Sequence, residues 1–304
     1  MSRLFKNLSV TTLLSFFTFI SPTCTSDDGL TKLADIHLHW KWNQKEVTEA
    51  EQAVEILRDN HVTLAVVTGT PPELALELQQ LAPDIVVPIY GVYKGAIDWS
   101  NWHHDKGLVR RVRLALESGH YHGIGELHMI SGFVTDWKNP NISGLFEIAA
   151  VFDVPVLVHT EFSRADYLIG FCSAYPKTRF LWAHAGSILP PSEVARALSQ
   201  CANLSVELSA RDPWRHVGNP IVDEMGLLKV EWRDLVIKYA DRFMIGSDPV
   251  WPVEQLNPWD EPDSGWEHLS RFLGFHREWL KQLPTEIAQK VRFNNAMDYF
   301  KRQQ

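Results

Sequence analysis

The strongest constraint on the fold of this chain is a regular alternation of short apolar runs with longer amphipathic stretches. From Leu33 onward, the runs are rich in β-branched residues and have the length of buried strands, while apolar residues recur at helical spacing between them. The runs predict eight strands, at residues 33–39, 62–68, 85–92, 123–127, 154–159, 180–184, 204–208 and 243–247. The stretches between and after them predict helices at residues 46–60, 73–81, 106–118, 143–152, 164–175, 192–201, 232–239, 266–281 and 285–301. Strands that alternate with helices in this way favour a parallel sheet covered by helices.

Eight strands, each followed by a helix in about 270 residues, have the count and size of a (β/α)8 TIM barrel of the α/β class. A chain of 304 residues with 45% apolar residues can bury such a core, or the cores of two smaller domains. No linker rich in proline, glycine and serine divides the sequence, which predicts a single domain over residues 27–304. The rival fold, a doubly wound open sheet, normally carries a G-x-G-x-x-G turn after its first strand, and here that strand ends in histidines.

Residues 1–26 have the pattern of a cleaved secretory signal. Arg3 and Lys6 form a positive region, and an apolar or hydroxylic segment at 8–20 is too short to span a bilayer. The protein is therefore predicted to be exported, periplasmic or secreted, with no transmembrane span in the mature chain. Cys24 allows lipoprotein anchoring as the less favoured alternative, because the residues before it match a lipidation site poorly.

The mature chain retains Cys172 and Cys201, whose pairing cannot be decided from their spacing. Both fall in separate predicted helices, so two buried free thiols are the default expectation.

The charge balance bears on the partners of the protein. With 29 basic and 37 acidic residues the formal charge is −8, which argues against a nucleic-acid partner. A small-molecule substrate is the expected partner, and the chain leaves a homo-oligomer possible.

Side chains that ligate metals stand at the C-terminal ends of five predicted strands, where active sites form in a barrel of this kind. His37 and His39 end the first strand, and in extended backbone they project from the same face. The fourth, fifth, sixth and eighth strands end in or lead into Glu126, His159, His184 and Asp248. A lone histidine at a strand end is more often a hydrogen-bonded loop residue than a ligand. Six ligand-type residues at one end of a barrel predict a transition-metal site.

Three other histidines lie near the fourth strand. His120 and His122 repeat the His-x-His spacing but precede the strand, so they are predicted to lie at the opposite end of the barrel. His128 shares a strand face with Glu126 and is either an extra ligand, a substrate contact or a loop residue, of which the loop role is favoured.

The strand-end motifs resemble those of the amidohydrolase superfamily, most closely its amidohydrolase-related branch. The resemblance rests on Asp-Ile-His-Leu-His at 35–39, Gly-Ile-Gly-Glu at 123–126, Val-Leu-Val-His at 156–159, Leu-Trp-Ala-His-Ala-Gly at 181–186 and Ile-Gly-Ser-Asp at 245–248. The element at 123–126 is also similar to that of TatD-type hydrolases and phosphotriesterase-like lactonases. The end of the chain, residues 292–300, is similar to an Asn-Ala-x-x-x-Phe ending, so the resemblance covers roughly residues 33–300.

The resemblance implies a metal-dependent hydrolase that uses a metal-activated water to cleave an ester, lactone, amide or phosphoester bond in a small substrate. His37, His39 and Asp248 would hold one divalent ion, with zinc as the expected metal. Asp248 would also act catalytically, taking a proton from the attacking water and passing it to the leaving group.

The number of ions is left at one or two. In two-metal relatives His159 and His184 would ligate a second ion, and Glu126 would bridge both ions. In one-metal relatives His159 joins the first site, and His184 acts catalytically by polarising the substrate. Glu126 favours the two-metal arrangement, although a structural, salt-bridged glutamate is the alternative.

Substrate contacts are predicted at three residues of the C-terminal loops. Arg164 follows the fifth strand and Arg211 the seventh, where each can grip a carboxylate or phosphate in bidentate fashion. Trp251 follows the eighth strand and can line an apolar pocket. For each arginine a surface ion pair is an equally good interpretation.

Two other functions remain open. One is non-oxidative decarboxylation of an aromatic acid on a single metal, against which Glu126 counts. The other is a catalytically silent exported binding protein, against which the intact ligand set counts.

Overall fold

The computed structural model describes residues 32–95, 98–99, 101–129, 137–160, 163–215, 218–250 and 261–300. Its strands are β1 (Leu33–Lys41), β2 (Val62–Thr70), β3 (Val86–Ile89), β4 (Ile124–His128), β5 (Pro155–His159), β6 (Arg179–Trp182), β7 (Leu204–Glu207) and β8 (Phe243–Met244). Its α-helices are α1 (Ala50–Asp59), α2 (Glu73–Leu81), α3 (Leu108–Glu117), α4 (Pro140–Val151), α5 (Ala165–Ala174), α6 (Pro191–Gln200), α7 (Val230–Lys238), α8 (Leu269–Leu280), α9 (Thr285–Gln289) and α10 (Asn295–Tyr299).

The eight strands pair in parallel in the order of the chain, as three strands, β1 to β3, and five strands, β4 to β8. Backbone hydrogen bonds join the two sheets at both gaps. At one gap Tyr90 N donates to Gly123 O over 2.8 Å, and at the other Ile36 N donates to Ile245 O over 3.2 Å. The architecture is therefore that of the predicted (β/α)8 barrel, with every strand end at the same mouth.

The core has two parts, one inside the ring of strands and one between strands and helices. Small and branched side chains fill the inside, among them Ile36 of β1, Val66 of β2 and Leu181 of β6. Ala296 of α10 and Phe300 after it belong to the same inner cluster, so this helix packs against the inside of the barrel. A much larger cluster, which includes Trp40, lies between the strands and the surrounding helices. Together the two clusters leave the mouth as the place where polar side chains gather.

Several predicted elements are confirmed, and others end earlier than predicted. The helix predicted at 73–81 is α2, and Gly119 stops α3 in a left-handed conformation with φ of 74°. β6 ends at Trp182, two residues before the predicted end at His184, because the chain enters a tight turn at Ala183–Gly186. β8 is only two residues long, and a π-helical turn at Lys290–Asn294 interrupts the predicted last helix.

The default expectation of two free thiols is wrong, because Cys172 and Cys201 form a disulfide. Cys172 lies in α5 and Cys201 directly follows α6, and these two helices are neighbours in the outer ring. Their Cα atoms are 6.0 Å apart, within the range that a disulfide bridges. Spacing in the sequence does not reveal this pairing, since it depends on which faces of the helices meet.

The predicted signal at residues 1–26, including Cys24, lies outside the described residues and stays a prediction. Among the residues that the structure describes, no helix is long and apolar enough to cross a membrane.

His276 ties α8 to the chain segment beyond β8. Its side chain is buried, Nε2 donates to Gly246 O over 2.8 Å, and Nδ1 accepts a hydrogen bond from Trp279 Nε1 over 3.0 Å. Both ring nitrogens are thus committed in the neutral imidazole, and a second proton on Nδ1 would face the N–H of Trp279.

Burial lowers the pKa of His276 to about 4. The hydrogen bond to Gly246 and the carboxylates of Asp212 and Glu207 raise it, and the Arg215 guanidinium lowers it. The ordinary value in an unfolded chain is 6.5, so between these two values the unfolded state binds a proton that the folded state excludes.

We predict that His276 makes the protein less stable in mild acid. Between about pH 7.5 and pH 5, excluding this proton should remove about 2 kcal/mol from the free energy of unfolding. In His276→Gln this part of the pH dependence should disappear, which urea unfolding at both pH values measures. His120→Gln, at an exposed histidine, is the comparison. An unchanged pH dependence in His276→Gln would contradict the prediction.

Candidate metal centre

The structure brings six side chains from five strand ends together at the mouth of the barrel. They are the residues predicted from the sequence to ligate metal: His37, His39, Glu126, His159, His184 and Asp248. All six are buried, with at most 7% of each residue exposed. Their assignment as ligands stays a prediction, but their convergence is a feature of the fold.

One group of donors lies at the end of β1 and beside the β8 loop. His37 Nε2 and His39 Nε2 are 3.1 Å apart, and Asp248 Oδ1 lies 3.5 Å from His39 Nε2 and 3.9 Å from His37 Nε2. A divalent ion bound at about 2.1 Å in tetrahedral geometry holds its ligands about 3.4 Å apart. The spacing of these three donors therefore fits a single cation.

Glu126 at the end of β4 lies between two pairs of histidines. Its Oε2 is 3.5 Å from His37 Nε2 and 3.4 Å from His39 Nε2. Its Oε1 is 2.9 Å from His159 Nδ1 and 3.5 Å from His184 Nε2. Each carboxylate oxygen thus faces one pair, which is the arrangement that a carboxylate shared by two ions requires.

Gly125 and Gly246 allow the backbone of β4 and the β8 loop to approach the site closely. Gly125 has a φ of 136°, and a Cβ there would lie 2.5 Å from Leu157 O. A Cβ on Gly246 would lie 2.6 Å from the Cβ of His37. Side chains at these positions would displace Glu126 or His37, so the glycines are part of how the sequence builds the site.

Glu207, at the end of β7, is the main site residue that the sequence reasoning missed. It is fully buried, and Oε1 lies 2.9 Å from His37 Nδ1. The same oxygen accepts the backbone N–H of His184 over 2.7 Å, and Oε2 accepts that of Ser209 over 2.6 Å. An ionised carboxylate only accepts, so His37 carries a proton on Nδ1, and Nε2, which faces Glu126, is the nitrogen available to an ion. The sequence did carry a signal for Glu207, because this acidic residue lies one position before the end of the predicted strand at 204–208.

Ser209 fixes the orientation of His184 in a similar way. Ser209 Oγ donates to Glu207 Oε1 over 2.9 Å and lies 2.8 Å from His184 Nδ1. The carbonyl oxygen of Ser209 is 3.2 Å from the same nitrogen. His184 therefore donates from Nδ1 and leaves Nε2 as an acceptor that faces Glu126.

Two arginines hold the backbone of the turns that carry His184 and Asp248. His184 and Asp248 have positive φ values, of 56° and 49° respectively. Arg211 donates to His184 O over 2.7 Å and to Ala185 O over 2.8 Å. Arg215 donates to Asp248 O over 2.6 Å and to the preceding carbonyl over 2.8 Å. These charge-assisted hydrogen bonds stabilise the turns that aim both side chains.

The carboxylates of the site are ionised although they are buried. Burial raises the pKa of each, but the surrounding histidines lower it more, so the pKa of Glu126 and of Asp248 lies well below the usual range. For Glu207 the balance gives a pKa of about 2. Burial lowers the pKa of His37, yet Glu126, Glu207 and Asp248 raise it more, to well above 6.5. Buried negative charge of this kind is stabilised by a cation, and the donor set fits one.

Of the three predicted substrate contacts, the structure describes the two arginines. Arg211 is 1% exposed, and its guanidinium lies over the Trp232 ring at 4.8 Å and donates to backbone carbonyls, which favours a structural role. The Arg164 side chain is 86% exposed and pairs with Asp166 beside it, so it favours the surface interpretation. Trp251 lies outside the described residues and stays a prediction.

Two other polar groups lie near the mouth: His128, for which the sequence left three roles open, and Lys41, which it did not single out. His128 Nε2 lies 3.5 Å from Glu126 Oε2, and with His159 these residues form a further group that could hold an ion. Lys41, at the end of β1, is buried and pairs with Asp263 over 2.7 Å. Burial lowers the pKa of Lys41, and Asp263 opposes that shift.

His120 and His122 precede β4, whereas Glu126 lies near its C-terminal end. The second His-x-His pair therefore lies at the N-terminal end of β4, away from the candidate metal centre, as its position in the sequence predicts.

Comparison with known proteins places the chain in a family. A model described as Amidohydrolase matches residues 34–302, which confirms the resemblance of the strand-end motifs. No curated protein matches the sequence.

Solved structures share the fold at low sequence identity. A probable 2-pyrone-4,6-dicarboxylic acid hydrolase from Acinetobacter baumannii with citric acid bound has a TM-score of 0.56 and 13% identity, covering 89% of this chain and 99% of that one. A dihydroxybenzoic acid decarboxylase from Polaromonas sp. JS666, with bound manganese and an inhibitor, has a TM-score of 0.55 and 11% identity, covering 90% and 97%. An amidohydrolase from Burkholderia multivorans with bound zinc has a TM-score of 0.55 and 14% identity, covering 89% and 99%.

We predict that Glu207→Gln weakens metal binding without unfolding the protein. The amide can no longer attract the Nδ1 proton of His37 as a carboxylate does, so His37 becomes a poorer and less fixed donor. Loss of such a contact lowers metal affinity by about 10- to 100-fold. Competition with a chromophoric zinc chelator measures the affinity, and circular dichroism checks the fold. Glu193→Gln, which removes a surface carboxylate paired with Arg196, is the control. Equal zinc affinity in Glu207→Gln and the unmodified protein would contradict the prediction.

Proposed function

The chain belongs to the amidohydrolase family, and from that premise we propose that it is a hydrolase that depends on two divalent metal ions. Its substrate would be a small molecule in which it cleaves an ester, lactone, amide or phosphoester bond. The probable 2-pyrone-4,6-dicarboxylic acid hydrolase of the same fold supports hydrolysis as the reaction class.

The position of Glu126 is the observation that carries the proposal. With Oε2 facing His37 and His39 and Oε1 facing His159 and His184, the carboxylate separates two sets of donors. A structural glutamate would be satisfied by one partner and would not need an oxygen on each side. The distances therefore favour a shared ligand for two ions.

The remaining ligands divide by their positions. His37, His39 and Asp248 would hold one ion, and His159 and His184 would hold the other. Divalent ions held in this way lower the pKa of water toward neutrality and polarise the bond to be cleaved. Zinc is the proposed metal, since imidazole and carboxylate donors suit it and the Burkholderia multivorans amidohydrolase binds it. Manganese, which the Polaromonas protein binds, is the alternative.

Asp248 has the chemistry and the fixed position of a general base. Its pKa lies below the usual range, because His37, His184 and His39 together outweigh the effect of burial. Its backbone N–H donates to His37 O over 2.8 Å, and Arg215 holds its carbonyl oxygen. The carboxylate is thus ionised and held in place, and its proposed role is to take a proton from the attacking water and return it to the leaving group.

Decarboxylation of an aromatic acid is the second candidate, supported by the likeness in fold to the dihydroxybenzoic acid decarboxylase. It differs in needing a single ion and in releasing carbon dioxide. A silent binding protein is disfavoured because all six predicted ligands face one another in the site.

The proposed activity is tested by metal analysis and a substrate screen. Protein purified without chelator should contain two divalent ions per chain, and it should hydrolyse one class among esters, lactones, phosphoesters and dipeptides. A single ion with carbon dioxide released from aromatic acids would favour decarboxylation instead. A folded protein that binds no metal and turns over none of these compounds would refute both candidates.

Asp248→Asn should then lose turnover by at least about 100-fold, because the amide cannot accept the proton. The measurement is kcat at saturating substrate with both proteins fully loaded with zinc. Asp241→Asn, an exposed carboxylate paired with Lys290, is the matched control and should keep its rate. A kcat for Asp248→Asn within a few-fold of the control would remove Asp248 from the role of base.

We also propose that the protein is exported. The pattern of residues 1–26 supports this, and so does the disulfide between Cys172 and Cys201, which persists in oxidising compartments. Mass spectrometry of the mature protein should find an N-terminus after cleavage near residues 23–26. A chain that still begins at Met1, with both thiols open to alkylation, would contradict export.

A further inference from the structure

Tyr93 and His128 make two hydrogen bonds to each other at the edge of the metal centre. Tyr93 Oη lies 2.7 Å from His128 Nδ1 and 2.8 Å from the backbone nitrogen of His128. Tyr93 is only 6% exposed, and among the described residues its hydroxyl has no third partner. The pair therefore has to satisfy its donors and acceptors internally.

The positions of the protons follow from this pairing. The backbone N–H of His128 can only donate, so it takes one lone pair of Tyr93 Oη. If His128 Nδ1 also donated, the buried Tyr93 O–H would point at no acceptor. Tyr93 therefore donates its single proton to Nδ1, and His128 carries its own proton on Nε2.

This assignment decides between two roles for His128. Its Nε2 lies 3.5 Å from Glu126 Oε2, close enough for both to share an ion if Nε2 offered a lone pair. A protonated Nε2 offers an N–H instead and does not ligate a metal. His37 and His184 are the reverse case, because their Nδ1 atoms face acceptors and hold a proton, so Nε2 is the nitrogen available to an ion.

The side chain of His128 is more exposed than those of the four histidines predicted to ligate metal. Its side chain is 17% exposed, against 9% for those of His39 and His159. The ring of Trp99 lies 5.3 Å from that of His128, and the ring of Tyr93 lies 5.4 Å from it. The ring of Trp102 packs edge-on against that of Tyr93. Aromatic rings thus line one side of His128.

We propose that His128 is a substrate-binding donor, held in the Nε2–H tautomer by Tyr93, and that it takes a carboxylate or carbonyl oxygen carried on a flat apolar body. The aromatic rings beside it suit the flat body, and the N–H suits the oxygen. The inference rests on the proposed function for the identity of the site, but the tautomer and the anion contact can be measured without turnover.

Nuclear magnetic resonance of the full chain labelled with 15N-histidine tests the tautomer. The His128 signals, identified by their loss in His128→Gln, should show a protonated Nε2 and an unprotonated Nδ1, and zinc should leave Nε2 protonated. An Nδ1–H tautomer, or loss of the Nε2 proton when zinc binds, would overturn the proposal. Tyr93→Phe should abolish the preference for Nε2–H. The control is Tyr175→Phe, at a tyrosine that directly follows α5, and it should leave the preference unchanged.

Benzoate, a flat carboxylate, tests the donor role on the zinc-loaded protein. His128→Leu should bind it about 10- to 100-fold more weakly than the unmodified protein, as expected for loss of a hydrogen bond to a charged group. His128→Gln keeps an N–H and should recover part of the affinity. Zinc stoichiometry should be the same in all three proteins.

The outcomes separate this inference from the proposed function. Loss of one zinc ion in His128→Leu would make His128 a ligand and overturn the inference. Equal benzoate affinity in the three proteins, including no measurable binding by any, would overturn it as well. Failure of the substrate screen would refute hydrolysis and would leave these two measurements unaffected.

Discussion

The candidate metal centre depends first on one buried hydrogen bond, from His37 Nδ1 to Glu207 Oε1 over 2.9 Å. Glu207 also accepts the backbone N–H of His184 over 2.7 Å and that of Ser209 over 2.6 Å, so one carboxylate joins the ends of β1, β6 and β7. Burying an ionised carboxylate costs free energy unless its oxygens are satisfied, and here both are. The same contacts decide which nitrogen of His37 faces the site. Glu207 therefore joins three strand ends, adds a buried negative charge and orients His37.

The charges explain why this arrangement favours a cation. Glu126, Asp248 and Glu207 are ionised in the interior, and within the described residues the raised pKa of His37 is the main local response to them. A proton on His37 neutralises only part of that charge and occupies the nitrogen that faces Glu126. A divalent ion would displace the proton and serve several carboxylate oxygens at once, which a single proton cannot do. The electrostatics and the donor spacing thus favour the same occupant.

The sequence predicted those features that depend on position along a strand. Eight alternating elements sufficed for the barrel, and ligand-type residues at strand ends sufficed for the gathering of six side chains at the mouth. Glu207 follows the same rule, since it is an acidic residue at the end of β7. Features that depend on how separate elements face each other were beyond prediction. The disulfide between Cys172 and Cys201 and the hydrogen bonds of Arg211 to the turn after β6 are of that kind. From the sequence alone, the position of Arg211 predicts an anion contact, and only the structure shows that its guanidinium binds backbone carbonyls.

The roles of His128 and His184 also depend on how separate elements face each other, and these roles bear on function. Residue type makes His128 as good a ligand as His184, and both have Nε2 facing Glu126 at 3.5 Å. The difference lies on the far side of each ring, at Nδ1. His184 meets acceptors at Ser209 and so leaves Nε2 unprotonated, whereas His128 meets the hydroxyl of Tyr93. A tyrosine 35 residues away in the chain therefore decides whether a histidine binds metal or substrate. Proximity of donor atoms is not enough to assign a ligand, because the partner of the second ring nitrogen determines what the first one offers.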